Sequence, residues 1–261
     1  MSLPVREAGR GRPILLLHGW TCHGGFFAPQ FEGLADDFHL LAPDLPGHGR
    51  APRAGLTIED AADAVHRLIV DRALDRPLIV GWSMGAAIAW ALIARHGQDG
   101  LGGLVVVDMS PKVLNDAAWS LGLSNGLDAD RNAHVLGAMA ANWPAYARPV
   151  ARNIFACGSD GTGRIETWAA AEIARNDPAA MTAMWRSLTS QDFRALIPEI
   201  RLPVLIARGA RSRIYAAATA DWMAERLPDV EVEVFSASGH APHLEEPAAF
   251  NAMLSRFLGS L

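Results

Sequence analysis

The stretch Leu78-Ile79-Val80-Gly81-Trp82-Ser83-Met84-Gly85 decides the fold. A short aliphatic run with the make-up of a buried strand leads into Gly-x-Ser-x-Gly. Met84 to His96 then runs almost wholly apolar to Gly97, a residue suited to closing a helix. A serine set between a buried strand and a helix has a chemical meaning. The chain must turn so sharply that the hydroxyl stands clear of the sheet, which strains the backbone at Ser83. Gly81 and Gly85 omit side chains where strand and helix come closest. The helix also points its first N–H groups at the same place, favouring negative charge that develops there. Ser83 is the candidate nucleophile.

On both sides of this turn, aliphatic runs alternate with helical patterns. Strands are predicted at Ile14–Leu17, at Leu40 to Asp44, at Leu104–Val107, at Val204–Ile206 and at Val230–Phe235, with Val5–Glu7 as an antiparallel edge strand. Helices are predicted over Ile58–Leu74, Tyr215–Leu227 and Pro247–Leu258, the last with proline at its first position. Such alternation implies an α/β fold with a mostly parallel central sheet flanked by helices. The segment 111–196 breaks the rhythm: it holds no clear strand, and Trp119, Trp143, Trp168 and Trp185 fall in short helix-like pieces. It is predicted to be a helical cap, or lid, over the carboxyl edge of the sheet. Residues 1–110 and 197–261 then form the core.

Composition narrows the function further. The 261 residues are 50% hydrophobic and 20% charged, a globular balance, and a net charge of −5 carries no nucleic-acid footprint and no polybasic membrane patch. The longest apolar run, Ala86 to Ala94, is too short to cross a bilayer, and the first dozen residues lack the apolar core of a secretory signal. Cys22 and Cys157 match no zinc or redox motif, so a cytoplasmic, reduced setting is expected. His240-x-x-His243 lacks a carboxylate or thiol motif to complete a metal site, and neither metal nor organic cofactor is expected. Eight tryptophans against two tyrosines are unusual. Trp90 and Trp222 are expected in core helices, and Trp20 and Trp82 beside the nucleophile. The four in segment 111–196 are expected to form a bulky apolar lid.

A serine nucleophile needs a base. His240 follows the last predicted strand in Phe235-Ser236-Ala237-Ser238-Gly239-His240, which puts it on a loop at the same sheet edge as Ser83. His243 is expected to pack near the next helix start, and His48 to make a structural hydrogen bond in its turn. His39, His66, His96 and His134 read as surface or packing residues. Acyl transfer also needs donors for the tetrahedral oxyanion, each worth about 2.7–4 kcal/mol. The Met84 backbone N–H is one candidate, and the Trp20 N–H in His18-Gly19-Trp20-Thr21 is the second. Trp82 and Trp143 are expected to contribute an aromatic wall for substrate.

Taken in order, His18-Gly19-Trp20, Asp44-Leu45-Pro46-Gly47-His48-Gly49-Arg50, Gly81-Trp82-Ser83-Met84-Gly85 and Ser238-Gly239-His240-Ala241-Pro242-His243 resemble the α/β-hydrolase family over nearly the whole chain. They are most similar to small carboxylesterases such as the pimeloyl-ACP methyl ester esterases. The His-Gly-Trp loop is also similar to that of cofactor-free perhydrolases. The resemblance implies a helical cap and a triad whose acid follows the penultimate strand, three residues after a glycine. Here Gly209-Ala210-Arg211-Ser212 places a serine at that position, and no carboxylate occurs between Pro203 and Asp221. Asp108, at the end of the Leu104–Val107 strand, is the candidate replacement, since some family members carry their acid there. The alternatives are Ser212 as a neutral partner or a Ser83–His240 dyad, with Asp108 serving only turn chemistry in Asp-x-Ser-Pro.

The expected activity is hydrolysis of small to medium apolar carboxylic esters through an acyl-enzyme on Ser83. The alternatives are a pimeloyl-ACP methyl ester esterase, with an acyl-carrier protein as partner, a perhydrolase, or a non-enzymatic binding protein on the same fold.

Overall fold

The computed structural model describes residues 2–156 and 162–261. Cys157 lies outside the described residues. Seven strands form one sheet: β1 (Val5–Ala8), β2 (Pro13–Leu17), β3 (His39–Pro43), β4 (Leu78–Trp82), β5 (Gly103–Val107), β6 (Val204–Gly209) and β7 (Val230–Phe235). Their spatial order is β1-β3-β2-β4-β5-β6-β7, with β1 antiparallel to β3 and every other pair parallel. All residues of β2, β4 and β5 are buried, which is why those segments read as unbroken aliphatic runs. The edge strand β7 alternates Val with Glu, and Arg256 pairs with Glu231 and Glu233 along it.

Helices cover both faces. The core carries α1 (Ala28–Leu34), α2 (Ile58–Asp71) and α3 (Met84–His96). Thr57 caps α2 by accepting from the Asp60 N–H, and ten residues of α3 are buried, placing this helix against the centre of the sheet. Between β5 and β6 come α4 (Ala129–Ala141), α5 (Trp143–Ile154), α6 (Thr162–Ala174) and α7 (Pro178–Thr189). They pack as the pairs α4·α7 and α5·α6, and α7 also touches α2. These are full helices, longer than the short pieces expected from sequence. The chain closes with α8 (Ala217–Ala224), the one-turn α9 (Pro242–Glu245) and α10 (Pro247–Ser260).

Two expectations for tryptophan are corrected. Trp222 is half-buried, with Arg226 over its ring and Trp119 edge-on to it at 5.0 Å. It packs on the core flank and not inside. Trp119 thereby belongs to that flank, and Trp168, 37% exposed, lies on Phe26 at 4.5 Å.

The register of β4 on β5 pairs Gly81 with Val106 and Trp82 with Val107. The next residue of each strand, Ser83 and Asp108, therefore emerges side by side at the carboxyl edge, where open α/β sheets place their ligands. Among the described residues, no helix is long and apolar enough to cross a membrane.

Candidate active site

Ser83 sits at φ 52°, ψ −119°, between β4 and α3. Its N–H donates to Val107 O at 2.9 Å and its carbonyl accepts from Ala86 N at 2.8 Å, so the strained turn is bonded on both sides. A Cβ on Gly85 would stand 2.1 Å from Leu17 O, so only glycine lets α3 start this close to β2. The backbone N–H groups of Trp20 and Met84 donate to no group among the described residues. Trp20 stands in the loop after β2, and Met84 is the first residue of α3.

His240 Nδ1 lies 2.6 Å from Asp108 Oδ2, with both side chains almost fully buried. A neutral imidazole facing a carboxylate carries its proton on Nδ1, leaving the Nε2 lone pair as an acceptor. Asp108 follows β5 at φ 44°, a left-handed conformation uncommon outside glycine. The Ser212 hydroxyl donates to the same Oδ2 at 2.5 Å. The loop that carries His240 is fixed from several directions. Trp82 Nε1 donates to His240 O at 2.8 Å, and His240 N donates to Ile154 O, at the end of α5, also at 2.8 Å.

Ser83 and His240 line one cavity of about 170 Å³. Gly19, Trp20 and Trp82 form its floor with them. Leu123, Leu127, Val135, Tyr146, Val150, Ile154, Trp185 and Leu188 come from the segment before β6, and Ile214 and Tyr215 from the loop after it. The walls are mostly apolar, with Asn125 and Asn153 the amide side chains among them. The indole N–H groups of Trp20 and Trp185 are already bonded, to Met181 O at 3.1 Å and Asn132 Oδ1 at 2.8 Å. Trp143 does not line the cavity. It is buried with its N–H on Ile173 O and stands edge-on behind Trp20 at 6.0 Å. Of the four tryptophans in segment 111–196, Trp185 is the one that faces the cavity.

Sequence reasoning missed Tyr146, Ile214 and Tyr215 as cavity walls, and of the tryptophans expected in the lid it could not single out Trp185. Tyr215 follows Ser212 by three residues, so the carboxylate-free loop after β6 was the available signal. Burial, with Asp108 nearby, pushes the Tyr215 phenol up, and its hydroxyl lies 3.2 Å from Met109 Sδ.

Three further buried histidines have structural places. His18 is fully buried, accepts from Leu45 N through Nε2 and faces Gly19 O through Nδ1. His48 Nδ1 faces Pro46 O at 2.9 Å, and burial lowers this ring to about 4. His243 packs among Phe27, Trp82 and Phe250 with neither ring nitrogen bonded among the described residues, and burial lowers it to about 3. A polar surface groove of about 730 Å³ lies elsewhere, and its charges answer one another in the pairs Arg50–Asp44, Arg53–Asp177 and Arg175–Glu172. Among the described residues no group of three or more His, Cys, Asp or Glu side chains is placed to hold a metal ion.

A strained serine between strand and helix on a mostly parallel sheet, sharing a cavity with a carboxylate-bonded histidine, is the arrangement that an α/β-type hydrolase site requires. The chain belongs to the alpha/beta hydrolase family, whose profile matches residues 14–253. It is 31% identical over 261 residues to the pimeloyl-[acyl-carrier protein] methyl ester esterase of Chromobacterium violaceum, covering 99% of this chain and 98% of that one. It is 30% identical over 255 residues to the protein of the same name from Nitrosomonas europaea, covering 95% and 96%. An esterase from Exiguobacterium antarcticum shares the fold, with a TM-score of 0.90 at 22% identity over 98% of this chain and 94% of that one.

Proposed function

We propose that this chain is a serine carboxylesterase in which Ser83, His240 and Asp108 form the triad. The observation that carries the reading is the 2.6 Å contact between His240 Nδ1 and Asp108 Oδ2 in the cavity that Ser83 shares. His240 takes the Ser83 proton as the hydroxyl attacks the ester carbonyl. The free N–H groups of Trp20 and Met84 receive the oxyanion. The alcohol departs with the proton from His240, and water, activated by the same base, releases the acid from the acyl-enzyme. Asp108 fixes the tautomer and stabilises the imidazolium between these steps. Segment 111–196 serves as the cap that closes the cavity over the acyl group.

Size and chemistry of the cavity define the acyl group. A volume of about 170 Å³ with mostly apolar walls suits a short aliphatic chain, on the order of six carbons by analogy with benzene-sized cavities. The names of the full-length relatives favour the methyl ester of a carrier-linked acyl chain as the physiological substrate. A second observation supports that choice. Arg148 and Arg152 line a groove between α5 and α6 with no ion pair among the described residues, and Asn153 borders both this groove and the cavity. An acidic carrier protein, met in a cytoplasmic setting, fits that groove.

The test is a panel of chromogenic esters of increasing acyl length beside a carrier-linked methyl ester. Multiple turnovers are expected on short free esters and on the carrier substrate. A fluorophosphonate probe should label the protein and fail to label Ser83→Ala. A protein that neither turns over esters nor takes the probe is a binding protein, and the proposal is then wrong.

A further inference from the structure

Glu245, the last residue of α9, turns its carboxylate back onto the loop that carries His240. Its Oε2 accepts from Gly239 N at 2.8 Å and from Ala241 N at 3.3 Å, the two peptide groups that flank the histidine. Its Oε1 accepts from Ala156 N at 2.7 Å, just beyond the end of α5. The N–H of His240 itself goes to Ile154 O in the same α5 terminus. Nothing bulky fits between these parts, because a Cβ on Gly239 would stand 2.6 Å from Ala156 N. One carboxylate thus fixes both neighbours of the histidine and ties them to a cavity-lining helix.

We propose that Glu245 is a positioning residue for His240, setting its ring against Asp108 and registering the base loop to the end of α5. The proposal rests on reading His240 as the general base. Both carboxylate oxygens are used as acceptors, so an ionised group is needed and an amide cannot replace it. Glutamine would turn an NH₂ toward one set of N–H donors and push the loop away. Burial raises the Glu245 carboxyl, and its backbone donors with nearby His240 draw it back toward ionisation. Displacements of about 1 Å at a reacting group cost up to about a hundredfold in rate.

The experiment compares Glu245→Gln with wild type on a short ester and in one-dimensional proton NMR, where the proton between His240 Nδ1 and Asp108 resonates far downfield. The expected result is a kcat lower by about tenfold to a hundredfold, KM within about twofold, and a shifted or broadened downfield signal. Unchanged kcat with an unmoved signal overturns the proposal. So does a fall in kcat with the signal unmoved, because that loss would not act through His240. If Glu245→Gln does not fold, Glu245→Asp is read the same way, since it keeps the charge but withdraws the oxygens by one methylene. His240→Ala, assayed alongside, separates the two readings. Turnover above the Ser83→Ala background overturns the base assignment itself, whereas an inactive His240→Ala with an unaffected Glu245→Gln overturns the positioning role alone.

Discussion

Ser212 donates its hydroxyl to the same oxygen of Asp108 that His240 faces, at 2.5 and 2.6 Å. Ser212 is thereby a second donor to the carboxylate proposed as the triad acid. Asp108→Asn is expected to lower kcat by about 10³- to 10⁴-fold, since the amide cannot stabilise the imidazolium or enforce the tautomer. Ser212→Ala removes one of two donors and is expected to cost no more than about tenfold. Steady-state kinetics on a chromogenic ester decide it: a larger loss in Ser212→Ala than in Asp108→Asn would reverse the assignment.

The backbone at Ser83, with φ 52°, stores strain that serves only the placement of the hydroxyl. Ser83→Ala and Ser83→Gly are both expected to lose turnover. Glycine relieves the left-handed conformation and alanine does not, so Ser83→Gly should resist urea better than Ser83→Ala by about 1 kcal/mol. Equal unfolding midpoints would show that the turn is unstrained.

His243 predicts a pH dependence. Its ring is held neutral, with the folded value lowered from 6.5 to about 3. As pH falls below 6.5 the unfolded chain gains a proton that the folded chain refuses until about pH 3, so stability present at neutral pH is lost over that window. The slope is up to about 1.4 kcal/mol per pH unit. His243→Phe keeps the contacts to Phe27, Trp82 and Phe250 without a titrating group. Between pH 7 and 5.5, urea unfolding should show the wild type losing about 1 kcal/mol more than the variant. Parallel losses would refute the assignment.

Charge reversal in the groove between α5 and α6 separates the two substrates. Arg148→Glu with Arg152→Glu should raise KM for the carrier-linked ester by about tenfold or more, a loss that added salt reproduces in the wild type. Short free esters, which never touch the groove, should keep their kinetics. Equal effects on both substrates would remove the carrier from the account.

The centre of the sheet was legible because its inner strands are buried on both faces. Five strands read directly as aliphatic runs, Val230–Phe235 was read as a sixth, and Val5–Glu7 was expected as the antiparallel edge strand. Helix α3 was read to its exposed last residue because Gly97, at φ 80°, ends it. The helix Ala28–Leu34 was not read, since Pro29 and Gly33 leave it no repeating apolar stripe. Ser83 and His240 could be chosen from local context, whereas the pairing of Asp108 with His240 joins residues 132 positions apart. The tryptophans mark the limit most clearly. Composition could count them, but only packing separates Trp185, in the cavity wall, from Trp119, which leans on Trp222.

The register that sets Ser83 beside Asp108 makes two of the three proposed triad members neighbours by sheet pairing alone, joined through Ser83 N and Val107 O. The loop after β6 then need not carry a carboxylate itself, and its Ser212 donates to Asp108. In this chain it supplies Ile214 and Tyr215 to the cavity wall instead. For evolution or a directed library, Ile214 and Tyr215 offer a place where acyl preference can be rewritten while Ser212 keeps its bond to Asp108.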